Sequence, residues 1–359
     1  MTPWLRAAAV FAVLVAGCTE SYVAAVAHES EPSAIGAGSG SGAGETDVAG
    51  SGSSGEPCAA PFPLAGCDEA VDPLRAPEIA CYDGIAAARF ESADVNAWRR
   101  AREFGNATWV AGDSEAVLVL STGTLPEAGL VDEVNVEARA AELGSVNNDN
   151  QDSVSSLPEG IVVAPASASA MPYVECDGIG DCSGTLATAF HGAADDLIWF
   201  TVDATVPDEA YGYTMRVGLL SAEYPEAVGD AASDLFVWWH ESQDYVGNLA
   251  TWQGEAATVT GLATRMHEFS GEHPMLQRTG MDGRTGAPCD VAGEQVEDCP
   301  IGAATGWMQL RGPAVPGETI HLVAALFDQG PRDRDTVVVL DGFTWSCDAC
   351  VPGESCGLQ

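Results

Sequence analysis

Positive charge is scarce in this 359-residue sequence. It holds 14 lysine and arginine residues against 53 aspartate and glutamate residues, so its formal net charge at pH 7 is −39. A chain this acidic repels the phosphate backbone of nucleic acids, which excludes a nucleic-acid-binding role, and it attracts cations. Because 46% of the residues are hydrophobic, the chain can still bury a sizeable core, and the acidity belongs to its surface.

Several motifs of well-known enzyme classes are also missing. The sequence has no GxSxG nucleophile elbow, no P-loop, no strand-linked GxGxxG and no HExxH pair. These absences disfavour an enzyme. A hydrolase that uses two carboxylates leaves no fixed spacing in a sequence, however, so a secreted carbohydrate-active hydrolase using loop carboxylates stays open as an alternative.

The N-terminus has the organisation of an export signal. Arg6 precedes an apolar run, residues 7–15, that is too short to cross a bilayer as a stable helix, and small residues stand before Cys18. Residues 1–17 are therefore predicted to be a signal peptide. The segment LVAGC resembles the bacterial lipobox, which implies that Cys18 is lipidated and anchors the chain in the bacterial cell envelope, facing the periplasm or the cell surface.

Two short regions separate the predicted anchor from the main domain. Residues 18–57 are rich in Gly and Ser without an apolar period, which predicts a flexible tether with a root-mean-square reach of roughly 35 Å. Residues 58–82 are rich in Pro and Cys and predict a small lead-in bounded by disulfides. The main domain is then predicted to occupy residues 83–359.

The cysteines predict a set of disulfides. The sequence has 11 cysteines, and assigning Cys18 to lipid leaves an even number in an exported chain. Close spacing suggests three local pairs and leaves four cysteines to tie the ends of the domain together. The local pairs are Cys58–Cys67, Cys176–Cys182 and Cys289–Cys299, and the remaining four are Cys81, Cys347, Cys350 and Cys356.

The larger C-terminal part of the sequence has the pattern of β-strands. Short runs rich in Val, Ile, Thr and aromatic residues are bounded by Gly, Pro and Asp. The runs are residues 117–120, 161–163, 197–202, 211–220, 235–240, 257–260, 319–327 and 336–345. This pattern predicts an all-β domain with a β-sandwich or jelly-roll architecture and disulfide-stapled ends. Ahead of it, residues 83–104 hold good helix formers and predict a short N-terminal helix, capped by Ser92 or Asp94, that carries Trp98.

The stretch from Met215 to Trp239 predicts two apolar strands joined by an acidic loop. Pro225 within the loop cannot continue a regular strand ladder. Both faces of the second strand are apolar, so it is either covered on both sides or presents an aromatic platform. The platform, which would stack on a sugar, comprises Trp238, Trp239, Tyr245 and Trp252. Packing in the core is the simpler use of these residues.

Two groups of carboxylates lie in the central loop and around the last hairpin of this pattern. The first group is Glu223, Glu226, Asp230 and Asp234, and the second is Asp328, Asp333, Asp335 and Asp341. Hard oxygen ligands on loops suit calcium. If the last two strands lie beside the central pair, both groups meet at one end of the sheet and form a calcium site. The alternative is that they are solvated loop carboxylates.

Four segments together resemble the choice-of-anchor L family of bacterial exported proteins. They are SAEYPE followed by D-x-F within residues 221–236, VLSTG at 119–123, GAATGWMQL at 302–310, and the closing segment at 316–345. The resemblance spans roughly residues 98–347 and implies an exported surface domain with a β-sandwich fold and no particular reaction. We therefore expect a non-catalytic adhesion or binding module for a surface glycan or protein, with a hydrolase or a purely structural envelope component as alternatives.

Overall fold

The structure is a computed structural model that describes much of the main domain. The described residues are 73–82, 84–92, 96–105, 109–112, 114, 116–125, 135–136, 156–163, 180–230, 232–268, 275–276, 279, 281, 289–291, 294–296, 302–330 and 334–359. The chain divides into two units, and all of these residues belong to the second unit, Gly55–Gln359.

Regular structure in the described residues is almost entirely β-strand. The strands are β1 Ile85–Ser92, β2 Trp98–Ala101, β3 Glu103–Phe104, β4 Trp109–Val110, β5 Val117–Ser121, β6 Asn135–Val136, β7 Gly180–Asp181, β8 Asp195–Thr205, β9 Gly212–Ser221, β10 Leu235–Glu241, β11 Tyr245–Asn248, β12 Thr251–Trp252, β13 Glu255–Ala256, β14 His267–Glu268, β15 Cys289–Val291, β16 Glu294–Val296, β17 Ala303–Pro313, β18 Thr319–Asp328, β19 Thr336–Ser346 and β20 Gly357–Leu358. Three short 3-10 helices span Pro73–Arg75, Ile79–Cys81 and Ser183–Leu186. In this part of the chain no helix has the length and apolar character needed to cross a membrane.

Two large sheets form the sandwich. The first sheet has the strand order β1-β8-β18-β10-β11-β7, and the second has the order β14-β17-β9-β19-β5-β2, with β20 paired to β17. Neighbouring strands in these sheets are antiparallel, apart from the parallel pair β11 and β7. The predicted all-β sandwich class is confirmed.

The main core lies between the two sheets. Phe200 and Trp238 of the first sheet belong to one buried cluster with Tyr213 and Phe343 of the second. Tyr213 stacks on Phe343 with the ring centroids 5.3 Å apart, and its hydroxyl accepts a hydrogen bond from Trp238 Nε1 at 3.0 Å. Removing one such aromatic side chain from water contributes about 2–3 kcal/mol to folding, so these contacts hold the sheets face to face.

The outer face of each sheet is covered as well. In the first sheet, Trp239 packs in a second buried cluster with Leu186 and Phe190. In the second sheet, Val339 packs in a third cluster with Trp109. Covering on both faces explains why these strands are apolar along most of their length rather than alternating with polar residues.

The helix predicted for residues 83–104 is wrong. The segment forms β1 and β2 instead, which pair with β8 in the first sheet and β5 in the second. Phe90 of β1 lies 5.1 Å from the Trp98 ring and 6.3 Å from the Phe200 ring, measured between centroids. These contacts with the core override the local helix propensity of the segment.

Two of the predicted strand runs are not strands either. Residues 161–163 have no regular structure, and residues 257–260 form turns apart from one bridge between Ala257 and Phe236. Both runs are apolar because they pack against the sheets. Ile161 lies in the cover of the first sheet and Val259 in the main core.

The C-terminal disulfide closes a local loop. Cys350 and Cys356 are joined with their Cα atoms 5.1 Å apart. A tight turn, in which the N–H groups of Glu354, Ser355 and Cys356 all donate to the carbonyl of Val351, brings the two cysteines together. Of the four cysteines predicted to tie the ends of the domain together, Cys350 and Cys356 therefore pair with each other over a short loop.

The other predicted cysteines are only partly within the described residues. Cys81, Cys182 and Cys347 are each disulfide-bonded, as predicted for an exported chain. Cys289 is the first residue of β15. The residues outside the described part are Cys18, Cys58, Cys67, Cys176 and Cys299.

Candidate functional site

The strand order brings the two predicted carboxylate groups together. β19 pairs with β9, where Thr336 lies opposite Ser221, and β18 pairs with β10, where Phe327 lies opposite Leu235. The last two strands thus lie beside the central pair, which was the condition for the two groups to meet. Four carboxylates flank these paired positions, and we call them the acidic end: Glu223, Asp234, Asp328 and Asp335.

All four side chains of the acidic end are buried. Glu223, Asp234 and Asp328 are each 2% exposed, and Asp335 is 5% exposed. Burial disfavours the charged form of a carboxyl group unless hydrogen-bond donors or opposite charges compensate for the lost water. The solvated-loop alternative is therefore wrong for these four residues, and their surroundings decide their chemistry.

Asp234 connects the two sheets at this end. Its backbone N–H donates to Glu223 Oε2 at 2.9 Å, and its Oδ2 accepts a hydrogen bond from the Thr122 hydroxyl at 3.1 Å. The Thr122 oxygen also accepts the N–H of Thr336 at 2.9 Å. The other carboxylate oxygen of Asp234, Oδ1, is buried and has no hydrogen-bond partner among the described residues.

The loop after β18 is tied to the segment before β10. Asp328 Oδ1 accepts the N–H of Gly330 at 2.5 Å, and Gln329 Nε2 donates to the carbonyl of Ser233 at 3.1 Å. A Cβ atom on Gly330 would come within 2.8 Å of the Ala232 carbonyl oxygen, so only glycine allows this close approach. The loop therefore holds Asp328 beside Asp234.

Burial and neighbouring charge raise the pKa of two of these acids. Burial is the main reason that the pKa of Glu223 rises to about 8, and the Asp328 charge adds to it, while the Asp234 N–H and Arg334 oppose it. Burial likewise raises the pKa of Asp234 well above its usual range, and the charges of Glu223, Asp328 and Asp335 add to the rise. A hydrogen bond from the Thr336 side chain lowers the pKa of Asp234 and so opposes this rise. Near neutral pH the acidic end therefore either keeps protons or needs a cation to balance its charge.

Glu226 and Asp230 of the predicted metal set are less buried than the acidic end. Glu226 is half-buried and forms an ion pair with Arg334, with Oε2 and Nη1 3.3 Å apart. Asp230 is exposed on the surface of the central loop, and Asp333 lies outside the described residues.

Asp341, which lies within β19, is a correction to the predicted metal set, because groups of the protein bind both of its oxygens. Arg216 Nη1 donates to Asp341 Oδ2 at 2.8 Å, and the N–H of Gly112 donates to the same oxygen at 3.0 Å. The hydroxyl of Ser114 donates to Oδ1. Protein donors already occupy both oxygens, so this carboxylate has no place for a metal ion.

A preformed site of three side-chain ligands is not found. Among the described residues, no group of three or more His, Cys, Asp or Glu side chains is placed so that it could hold a metal ion. Calcium also accepts backbone carbonyl oxygens and water as ligands. A cation at the acidic end would therefore be bound by a smaller number of carboxylates together with neutral oxygens.

The predicted aromatic platform does not form, because its rings are used in packing. Trp238 and Trp239 are fully buried on opposite faces of β10, and Tyr245 is also buried. Trp252 is half-buried, with the guanidinium of Arg265 4.8 Å from its ring centroid. Burial of large aromatic area in the core, the simpler alternative, accounts for the first three residues.

Three residues of these surroundings escape prediction from the sequence. Thr122 binds Asp234, Arg216 binds Asp341, and the buried His240 lies with Nδ1 3.0 Å from the Tyr213 hydroxyl. Burial lowers the pKa of His240 to about 3, so its ring is neutral. Of the three, only Arg216 could have been identified from the sequence. It is a single charge in the apolar strand β9, and such a charge requires a partner inside the fold.

Comparisons with known proteins find no relative of this chain. No family model matches it, and neither a curated protein nor a solved structure matches it. The resemblance of the four segments to the choice-of-anchor L family therefore stays a prediction. Three of those segments nevertheless meet in space, since SAEYPE with D-x-F supplies Glu223 and Asp234, VLSTG supplies Thr122, and the closing segment supplies Asp328 and Asp335.

Proposed function

We propose that this chain is an exported, lipid-anchored protein of the bacterial cell envelope whose β-sandwich acts as a non-catalytic binding or adhesion module. The burial of the acidic end carries the non-catalytic part of the proposal. Glu223 and Asp234, whose pKa values are raised as acid–base catalysis requires, are each 2% exposed, so a polymeric substrate has no access to them.

A glycoside hydrolase makes different demands on two carboxyl groups. They stand on either side of the scissile bond, about 5 to 9.5 Å apart, with the sugar between them. Here the N–H of Asp234 donates directly to Glu223 Oε2 at 2.9 Å, so the protein backbone occupies the space beside Glu223. This contact favours a structural or ion-binding use of the pair over the hydrolase alternative.

The export part of the proposal is supported by the cysteines and the N-terminus. A disulfide such as Cys350–Cys356 persists in an oxidising compartment outside the cytoplasm. The predicted signal peptide, the lipidation site at Cys18 and the tether of residues 18–57 fit a domain displayed away from a membrane. Because each sheet is covered on its outer face, a surface glycan or protein partner would bind the loops rather than a sheet face.

The proposal is tested on cells that produce the full-length chain. Wild type should be found in the membrane fraction and incorporate labelled fatty acid, whereas Cys18→Ala should lose both properties. Thr19→Ala is the matched control and should behave as wild type. Retention of Cys18→Ala in the membrane fraction would contradict the predicted anchor.

Assays with the purified protein distinguish binding of a polysaccharide from its hydrolysis. Purified wild type should be retained on surface polysaccharide or on intact cells without releasing reducing ends, and Glu223→Gln should be retained equally. Release of reducing ends that Glu223→Gln abolishes would instead establish the hydrolase alternative. Absence of both retention and release would favour the purely structural envelope component.

A further inference from the structure

Asp234 Oδ1, an oxygen of the acidic end, has no hydrogen-bond donor within the described part of the chain. Asp234 is 2% exposed, and its Oδ1 has no partner among the described residues. The Thr122 hydroxyl is engaged by Oδ2, and the Thr336 hydroxyl, which also acts on the Asp234 carboxylate, lies 2.9 Å from Ser221 Oγ. Buried polar atoms are nearly always paired, so an exception of this kind marks a place for a water molecule or an ion.

The charges around Asp234 favour an ion over water. The carboxylates of Glu223, Asp328 and Asp335 all act on Asp234. Arg334 opposes them at Glu223, but its guanidinium is also paired with Glu226. When Asp234 and Glu223 are both ionised, their like charges in a buried setting favour a counter-charge, and a neutral water molecule does not supply one.

We propose that the acidic end binds a divalent cation of the calcium type, with Asp234 Oδ1 as a ligand. A carboxylate of the same end, together with backbone carbonyls or water, would complete the coordination. The acidic end contributes only oxygen ligands and holds neither His nor Cys, which favours a hard cation over zinc. Calcium tolerates irregular sets of oxygens, whereas magnesium demands near-ideal octahedral geometry.

Such an ion would fasten the two sheets to each other. Asp234 and Asp328 adjoin strands of the first sheet, while Glu223 and Asp335 adjoin strands of the second. The ion would also hold the loop between β9 and β10, which crosses from one sheet to the other. This inference is independent of how the chain is anchored and of what it binds.

The inference is tested by the thermal midpoint of the full-length protein with intact disulfides. Samples contain chelator, calcium or magnesium at about 10 mM, above the 10⁻⁴–10⁻³ M range typical of extracellular calcium modules. Sodium chloride keeps the ionic strength equal, so that general screening of the net charge of −39 is the same in all samples. Calcium should raise the midpoint by about 5 °C and magnesium by clearly less.

Two charge-neutralising variants make the test specific. Asp234→Asn keeps an acceptor for Thr122 but should lose the calcium-dependent rise. Glu226→Gln removes the same charge from the same loop and should keep the rise, because Glu226 is paired with Arg334. An unchanged wild-type midpoint in calcium, or equal rises in the two variants, would overturn the inference.

A direct binding measurement covers the case in which Asp234→Asn does not fold. Equilibrium dialysis of wild type against calcium should give one specifically bound ion per chain. Glu223→Gln, whose amide oxygen can still accept the N–H of Asp234, should bind it at least tenfold more weakly. Equal binding by wild type and Glu223→Gln would refute a site at the acidic end.

Discussion

Two buried carboxylates of this molecule have opposite surroundings. Asp341 accepts hydrogen bonds from Arg216, Gly112 and Ser114, so its charge is balanced inside the fold. Asp234 accepts a hydrogen bond from Thr122 at Oδ2, has no partner at Oδ1 among the residues that the structure describes, and is acted on by neighbouring carboxylates. Both are buried carboxylates in or next to a strand. Burial alone therefore does not identify a ligand site. What distinguishes the two carboxylates is whether hydrogen-bond donors of the protein reach each of their oxygens.

The largest expected difference between the two regions is in the pH dependence of stability without calcium. The pKa of Glu223 in the folded protein is about 8, above its usual 4.5, so the folded state holds this proton more tightly. Its contribution is complete below pH 4.5 and is lost as pH rises through 8. The difference in unfolding free energy between wild type and Glu223→Gln, from urea denaturation in chelator, should fall by on the order of 4 kcal/mol between about pH 4.5 and 9.

Comparing wild type with Glu223→Gln also removes the contribution of His240, which has the opposite sign. Burial lowers the pKa of His240 from 6.5 to about 3, so its contribution is complete above pH 6.5 and is lost as pH falls towards 3. The histidine is present in both proteins and cancels. A difference between the two proteins that stays constant with pH would show that Glu223 is ionised in the fold without cost.

Breaking the balanced region should have the next largest effect. Arg216→Gln leaves the buried Asp341 carboxylate with weaker donors and removes the guanidinium that lies 4.2 Å from the Trp307 ring centroid. We expect the free energy of unfolding to fall by about 3 kcal/mol, the lower end for a broken buried pair, because Arg216 is partly exposed.

The control for this variant is an ion pair at the surface. Arg89→Gln breaks a 2.6 Å pair with Glu91, but the Arg89 side chain is 59% exposed. The free energy of unfolding of Arg89→Gln, from the same urea denaturation, should fall by less than about 0.5 kcal/mol. Similar losses for the two arginine variants would remove the distinction between a balanced buried carboxylate and an exposed one.

The smallest expected effect concerns the Thr122 hydroxyl, which donates to Asp234. Thr122→Val removes the hydroxyl that joins Asp234 Oδ2 to the N–H of Thr336 and should lower the free energy of unfolding by about 1 to 2 kcal/mol. Thr264→Val is the control, because Thr264 is exposed and accepts only from Trp252 Nε1 in a surface contact; it should cost less than about 0.5 kcal/mol. Equal losses would mean that the Thr122 bridge adds nothing.

Most of the sandwich could be predicted from the strand pattern because alternation and composition are local properties. β10, predicted at residues 235–240, spans Leu235–Glu241, and β8, β9, β18 and β19 agree as closely. β17 was missed because Gly306 and Gly312 interrupt its apolar run. The helix prediction for β1 is wrong because local propensity does not include the contact of Phe90 with Phe200, a residue far from it in the sequence.

The sequence predicts the candidate site only if the last two strands lie beside the central pair. The carboxylates could be named, but the donors that separate Asp341 from Asp234 come from distant segments. Thr122 and Asp234 are 112 residues apart, and Ser114 and Asp341 are 227 apart. Pairing at such distances depends on the register of strands in two sheets, which the pattern of single strands does not contain.

Because the outer faces of both sheets are covered, the buried and the exposed positions of this molecule should tolerate substitution differently. Side chains that hold the sandwich together lie in three buried clusters, whereas Val228, Gly229 and Asp230 of the central loop are exposed and lie outside these clusters. Substitutions at these exposed positions should therefore leave the packing of the sandwich intact.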